Sequence, residues 1–167
     1  DSSTSRGLGD VYKRQMQAYV LNTRREKFSD PRVRHALLLA FNFEEMNRTL
    51  FHGQYKRTGS FFQNTELAAT GLPGEDELAV LEPLRDKLPP EVFTEEYALP
   101  DYSAPNAERV YLRQAFDLLR DAGYERRGSD LVNAATGDVL SIEFLGDDPN
   151  DSRILEPYAN QLLSLIH

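Results

Sequence analysis

Side chains able to do chemistry are sparse in this 167-residue chain, and each has a plainer structural use. There is no cysteine, which removes thiol nucleophiles, structural zinc thiolates and disulfides together. His35 falls one turn into an apolar helical pattern, the setting of a core or edge histidine more than of a ligand or general base. His52 follows a second helical stretch, where a cation gains from the helix dipole. No H-E-x-x-H helix, glycine-rich phosphate loop or G-x-S-x-G turn occurs. The stretch Gly146-Asp147-Asp148-Pro149-Asn150-Asp151 has the composition of a calcium loop. It lacks the EF-hand order and its closing glutamate, and reads as a polar turn that starts a helix.

Charged and aromatic side chains offer binding in place of bond-making. Arg24, Arg25, Lys27, Arg32 and Arg34 form a local basic cluster on a chain of net charge −8 at pH 7. Ion pairing with the acidic surface is its default use. A bidentate grip on a ligand carboxylate is the sharper alternative. The pair Phe61-Phe62, with Tyr55 and Arg57 upstream, suits the lining of a cleft as well as it suits a core. The acidic balance disfavours nucleic acid, whose binding is driven by Lys and Arg. No apolar run approaches the roughly 20 residues that span a bilayer.

These side chains need elements to position them. Tyr19, Leu21 and Thr23 alternate with Val20 and Asn22, which predicts a short strand. Asp30 before Pro31 starts a helix over Arg32 to Phe41, nearly apolar all round and so deeply packed. Asn42 with Glu45 forms a capping box for a second helix through Leu50 or Phe51, ended by Gly53. From Gln54 to Pro105 the periodicity fades. A turn of helix is expected at Glu66 to Gly71, a short helix at Glu75 to Leu84, and an extended wrap from Glu91 to Pro105. So long a connection is unusual in a compact domain and often binds something. Asn106 caps an amphipathic helix on Val110, Leu112, Ala115, Phe116, Leu119 and Ala122, stopped by Gly123. Leu131-Val132 and Val139 to Leu145 predict a hairpin around Ala135-Thr136-Gly137-Asp138. A last helix starts at Asp151 or Ser152. This order predicts a mixed α/β fold with helices packed on a sheet.

The two ends read differently from the middle. Ser5 to Gln15 matches one translated frame of a sequencing adapter ending in a transposase mosaic end, and Leu163 to His167 translates the complement. Residues 1–15 and 163–167 are therefore expected to be adapter-derived tails, flanking an internal piece of a longer gene over residues 16–162.

The order strand, Asn-Thr, basic pair, Phe-x-Asp-Pro-Arg-Val-Arg, apolar helix between Ala18 and Phe51 resembles family 5 of the extracellular solute-binding proteins of ABC importers. The stretch from Phe61-Phe62-Gln63-Asn64 to Gly71-Leu72-Pro73, followed by Leu81-Glu82-Pro83-Leu84-Arg85 and Pro89-Pro90-Glu91-Val92-Phe93, resembles its Yej-type oligopeptide and microcin C binding subgroup. The resemblance covers nearly all of Met16 to Leu162. It implies a two-lobed, periplasmic-binding-protein-like fold closing by hinge motion, of which residues 16–162 are most of the second lobe. It also implies a periplasmic carrier with no catalytic step and no cofactor, which hands an oligopeptide or peptide conjugate to an ABC permease at the inner membrane. Ligand contacts are then expected from Tyr55, Arg57, Ser60, Phe61, Phe62 and Asn64 on a cleft-facing loop. A sensory solute-binding domain, or a piece of a hydrolase with its catalytic residues elsewhere, are the alternatives.

Overall fold

The computed structural model describes residues 18–146 and 151–165. In chain order its first elements are helices α1 (Glu26–Ser29), α2 (Pro31–Leu39), α3 (Phe43–Thr49) and α4 (Glu75–Leu81). A 3-10 helix (Glu82–Lys87), α5 (Glu91–Thr94) and α6 (Ala107–Asp121) follow. Strands β1 (Tyr124–Arg127) and β2 (Asp130–Asn133) and helix α7 (Ser152–Ser164) complete the order. The chain divides into two units, Val20–Lys56 with Pro100–His167, and Arg57–Leu99 with Asp1–Tyr19. Helices and a small sheet make the class α/β.

The first unit is built around α2 and α6. Asp30 accepts the Arg32 N–H at 2.8 Å and Pro31 occupies the first turn, as its sequence predicts. Val33, Ala36, Leu37 and Leu39 of α2 are buried, whereas His35 is exposed, an edge histidine. They pack with Ala115 and Leu119 of α6 and with Tyr158 of α7 in one apolar cluster. Ala36 and Ala115 have no exposed surface; such small side chains let helix backbones approach closely. The helix ends at Leu39, short of the expected Phe41, because Asn42 must leave helical geometry to cap α3. Asn42 Oδ1 accepts the Glu45 N–H at 3.1 Å, but the Glu45 side chain turns to Arg48, so only half the capping box forms. Asn106 begins α6 in the left-handed region (φ 63°) with no side-chain cap bond, unlike the expected N-cap. Gly123, at φ 91°, stops that helix as its sequence predicts.

Strand prediction fared worse. Residues 18–22 form no strand; the Asn22 side chain accepts the Arg24 N–H and closes a local turn. Leu131 and Val132 do lie in a hairpin strand, but its partner is β1, with Tyr124 opposite Asn133 and Arg127 opposite Asp130. Gly128, at φ 64°, closes that hairpin in a loop of only Gly128 and Ser129, which costs less loop entropy than the longer connection expected. The described sheet is this two-stranded antiparallel ribbon in place of the mixed sheet predicted. Val139 meets Val132 through a single bridge, and the rest of Val139 to Leu145 forms no strand.

In the Arg57–Leu99 unit no residue is buried. The Glu77 carboxylate accepts the Gly74 N–H at 2.8 Å at the start of α4. Pro83 sits in the 3-10 helix that extends α4. The Arg85 guanidinium lies 3.9 Å from the Phe93 ring centroid and forks the Glu82 carboxylate at 2.8 and 2.5 Å. Glu66 to Gly71 makes turns, not helix. Glu91–Thr94 is helical where an extended wrap was expected, because the Pro89 and Pro90 carbonyls take the Val92 and Phe93 N–H groups.

Candidate functional site

The loop from Gly59 to Ala69 is held together by its own polar groups. Ser60 Oγ accepts N–H bonds from Phe62 at 3.2 Å and Ala69 at 3.3 Å, pinning the two ends. Gln63 Oε1 takes the Gly59 N–H at 3.2 Å. Thr65 donates its hydroxyl to the Phe62 carbonyl at 2.7 Å and accepts the Leu67 N–H. Asn64 adopts φ 67°, a left-handed turn position that asparagine tolerates better than most residues. This framework pushes Phe61 outward, 85% exposed, with Phe62 at 55%. The loop therefore presents two aromatic faces to solvent on a backbone that is already tied down. The Ser60 oxygen accepts twice, which leaves its O–H free to donate. Arg57, half-buried, precedes the loop in sequence.

Tyr55 is built separately, in the unit containing α3. The Asn47 side chain clamps its backbone, donating to the Tyr55 carbonyl at 2.7 Å and accepting its N–H at 3.1 Å. Its ring stands edge-on to Phe51 with centroids 4.6 Å apart and is half exposed. Of the six residues singled out in sequence, five belong to one unit and Tyr55 to the other.

Four of the five residues of the basic cluster make contacts within the chain. Arg32 forks Asp30 through Nε and Nη2, with Nη2 at 2.6 Å, and sends Nη1 to the Asp121 carbonyl at the end of α6, 2.5 Å away. That guanidinium holds the Asp30 carboxyl below its usual range. Arg34 caps α1 through the Phe28 and Ser29 carbonyls at 2.8 Å each. Lys27 donates to the Ser141 carbonyl, and Arg25 lies 3.7 Å from Glu143. Arg25 and Arg32 thus pair with carboxylates, as the ion-pairing reading expects, whereas Lys27 and Arg34 are held by backbone carbonyls.

A polar recess of about 190 Å³ opens beside α1, lined by Glu26, Lys27, Asp30, Tyr124 and Asn133 among others. Burial pushes the Tyr124 hydroxyl pKa up, against a hydrogen bond from Asn133 that lowers it. Asp30 in that recess is already forked by Arg32. Among the described residues no group of three or more His, Asp or Glu side chains is placed to hold a metal. The middle of the calcium-like loop, residues 147–150, lies outside the described residues. His52 sits exposed in a left-handed turn (φ 53°) after α3, where the Gly53 N–H reaches back to the Asn47 carbonyl.

Three polar contacts escaped the sequence reading. The Tyr158 hydroxyl donates to the Leu37 carbonyl at 2.9 Å, Tyr102 donates likewise to Leu39, and Gln161 Oε1 accepts the Asn42 N–H. The last carbonyls of every helix need partners, and tyrosines packed near an apolar helix end are the signal that would have found two of them.

No helix among the described residues is long and apolar enough to cross a membrane. The described residues form an α/β chain that carries a loop with two exposed aromatic rings. Residues 6–165 match the bacterial extracellular solute-binding proteins, family 5 middle, and the chain belongs to that family. It is 52% identical over 88% of its length to the probable peptide-binding protein YejA of Agrobacterium fabrum, covering 24% of that protein. It is 43% identical over 86% of its length to YejA of Escherichia coli K12, again 24% of the relative. A peptidoglycan-binding protein, YepA of Agrobacterium fabrum, is 36% identical over 88% of this chain and 24% of its own length. The likeness to YejA places the chain in the Yej type of the family. The chain spans about a quarter of the length of the curated relatives it matches.

Proposed function

We propose that this chain is part of a periplasmic solute-binding protein that captures oligopeptides or peptide conjugates and delivers them to an ABC permease at the inner membrane. The observation that carries this reading is the family match along nearly the whole chain, together with a relative named for peptide binding. The protein makes and breaks no bond. Residues 16–162 form part of the second lobe, and the ligand is held between this lobe and another by main-chain hydrogen bonds and roomy pockets. In the Arg57–Leu99 unit Phe61 and Phe62 offer ring faces, the Ser60 hydroxyl and Asn64 amide offer donors, and Arg57 completes the contacts; Tyr55, in the other unit, is a separate candidate contact. The exposure of both phenylalanines supports that assignment, since aromatic side chains are favoured binding anchors.

A lobe alone closes on nothing, so chain 1–167 should bind a pool of tri- to pentapeptides more weakly than about 1 mM by calorimetry. Micromolar binding by the chain alone overturns the two-lobed assignment. Grafted in place of the matching segment of the Agrobacterium relative, the chain should restore tight peptide binding. Phe61→Ala in that graft should weaken binding about tenfold, near 1.4 kcal/mol. A graft that folds and binds no peptide overturns the reading.

A further inference from the structure

Tyr55 owes its place to Asn47, a residue that no sequence pattern marks. Asn47 is half-buried on the last turn of α3, and its carboxamide meets both backbone groups of Tyr55. Nδ2 donates to the Tyr55 carbonyl at 2.7 Å, and Oδ1 accepts the Tyr55 N–H at 3.1 Å. A carboxamide carries the donor and acceptor of a peptide group, so this pair copies the two-bond ring between facing residues of an antiparallel sheet. The Asn47 main-chain carbonyl accepts a third bond, from the Gly53 N–H at 2.8 Å. Three backbone groups of the returning chain therefore end on one residue. Between them the chain reverses through His52 at φ 53° and Gly53 at φ 74°. Left-handed backbone at a histidine is unfavourable and persists where surrounding contacts over-determine it. The Tyr55 ring is met by Phe51, edge-on with centroids 4.6 Å apart, yet 53% of the residue's surface stays exposed. A segment held in one conformation before a ligand arrives loses less freedom on binding than a loose one.

We propose that Asn47 is a positioning residue of the ligand site, setting the peptide affinity of the whole carrier by holding Tyr55 in its binding position. This rests on the carrier reading and on Tyr55 as a ligand contact. Asparagine alone among residues of its size supplies both bonds: aspartate keeps the acceptor and loses the donor, and leucine loses both.

A double-mutant cycle in the graft into the Agrobacterium relative tests it, with the same pool of tri- to pentapeptides as probe. Tyr55→Ala should weaken binding about fivefold, Asn47→Ala by a similar factor, and the double variant no more than Tyr55→Ala alone. A side chain that merely stabilises the fold gives no such dependence. Losses that multiply in the double variant, or binding unchanged by Asn47→Ala, overturn the proposal. In the unliganded graft Asn47→Ala should speed amide exchange at Tyr55 about tenfold while the Leu119 amide keeps its rate. An unchanged rate at Tyr55 overturns the proposal as well. If Asn47→Ala does not fold, Asn47→Asp takes its place under the same criteria. A graft that responds to Phe61→Ala but not to Tyr55→Ala ends this proposal and leaves the carrier reading standing, whereas a folded graft that binds no peptide ends both.

Discussion

Asp30 combines two structural duties in one side chain. It caps α2 through the Arg32 N–H and receives the Arg32 fork, whose remaining nitrogen reaches the end of α6. Asp30→Ala should cost about 1–2 kcal/mol, read from the urea midpoint at pH 7. Asp30→Asn keeps a capping oxygen and loses the charge, so its cost should be smaller. The folded state holds this carboxyl below its ordinary value, chiefly through the side-chain hydrogen bond from Arg32. Its contribution is therefore complete above the unfolded carboxylate range near pH 4 and fades as pH falls through the lowered folded value. The gap between wild type and Asp30→Ala should shrink from pH 7 to pH 3. A gap that holds constant would show that the ionised form is not what stabilises the fold. Tyr158→Phe isolates a second contact: it removes the bond to the Leu37 carbonyl and keeps the edge-on packing with Phe41 at 5.0 Å. A loss of about 1 kcal/mol in thermal unfolding is expected.

At the scale of elements, packing of α2 on α6 carries the fold. Leu119 is 1% exposed among Val33, Ala36 and Leu37, so Leu119→Ala should open a cavity and cost about 2–5 kcal/mol. Gly123→Ala tests backbone strain alone. No atom lies within 4 Å of an added Cβ, but φ stays at 91°, so about 1 kcal/mol should be lost without any clash. If Gly123→Ala proved neutral, the left-handed stop would not be holding α6 in place. These helices were legible in sequence because apolar spacing and caps are local properties that tertiary contacts merely reinforce. Strands were not. Alternation from Leu140 to Phe144 reports a half-buried face, and says nothing of which segment supplies the hydrogen bonds. The actual partner of Leu131 and Val132 is Tyr-Glu-Arg-Arg, three of whose side chains are exposed and give no periodic signal. The extended wrap expected from Glu91 fails for a similar reason, since the Pro89 and Pro90 carbonyls start α5.

At the scale of the whole molecule, stability is divided between units of very different kinds. Every buried residue described lies in Val20–Lys56 or Pro100–His167, and none in Arg57–Leu99. A unit without buried side chains opens locally at little free-energy cost, whereas the core must unfold globally. The same contrast bears on the candidate site. Phe61 and Phe62 were recognisable in sequence as aromatic candidates, but lining a cleft and filling a core use the same residue types. Their exposure, and the Ser60 and Gln63 bonds that enforce it, depend on which neighbours the loop folds against, and no spacing rule encodes that. The division makes a kinetic prediction. Chymotrypsin, which cuts after aromatic residues, should nick chain 1–167 first at Phe61, Phe62 or Tyr97, exposed by 85, 55 and 67%. Fragments holding α2, α6 and the hairpin should survive those cuts, because Phe28, Tyr124 and Tyr158 are each at most 7% exposed. Mass spectrometry of the earliest products distinguishes the outcomes. First cuts after Tyr124 or Tyr158 would mean that the apolar cluster opens as readily as the aromatic loop.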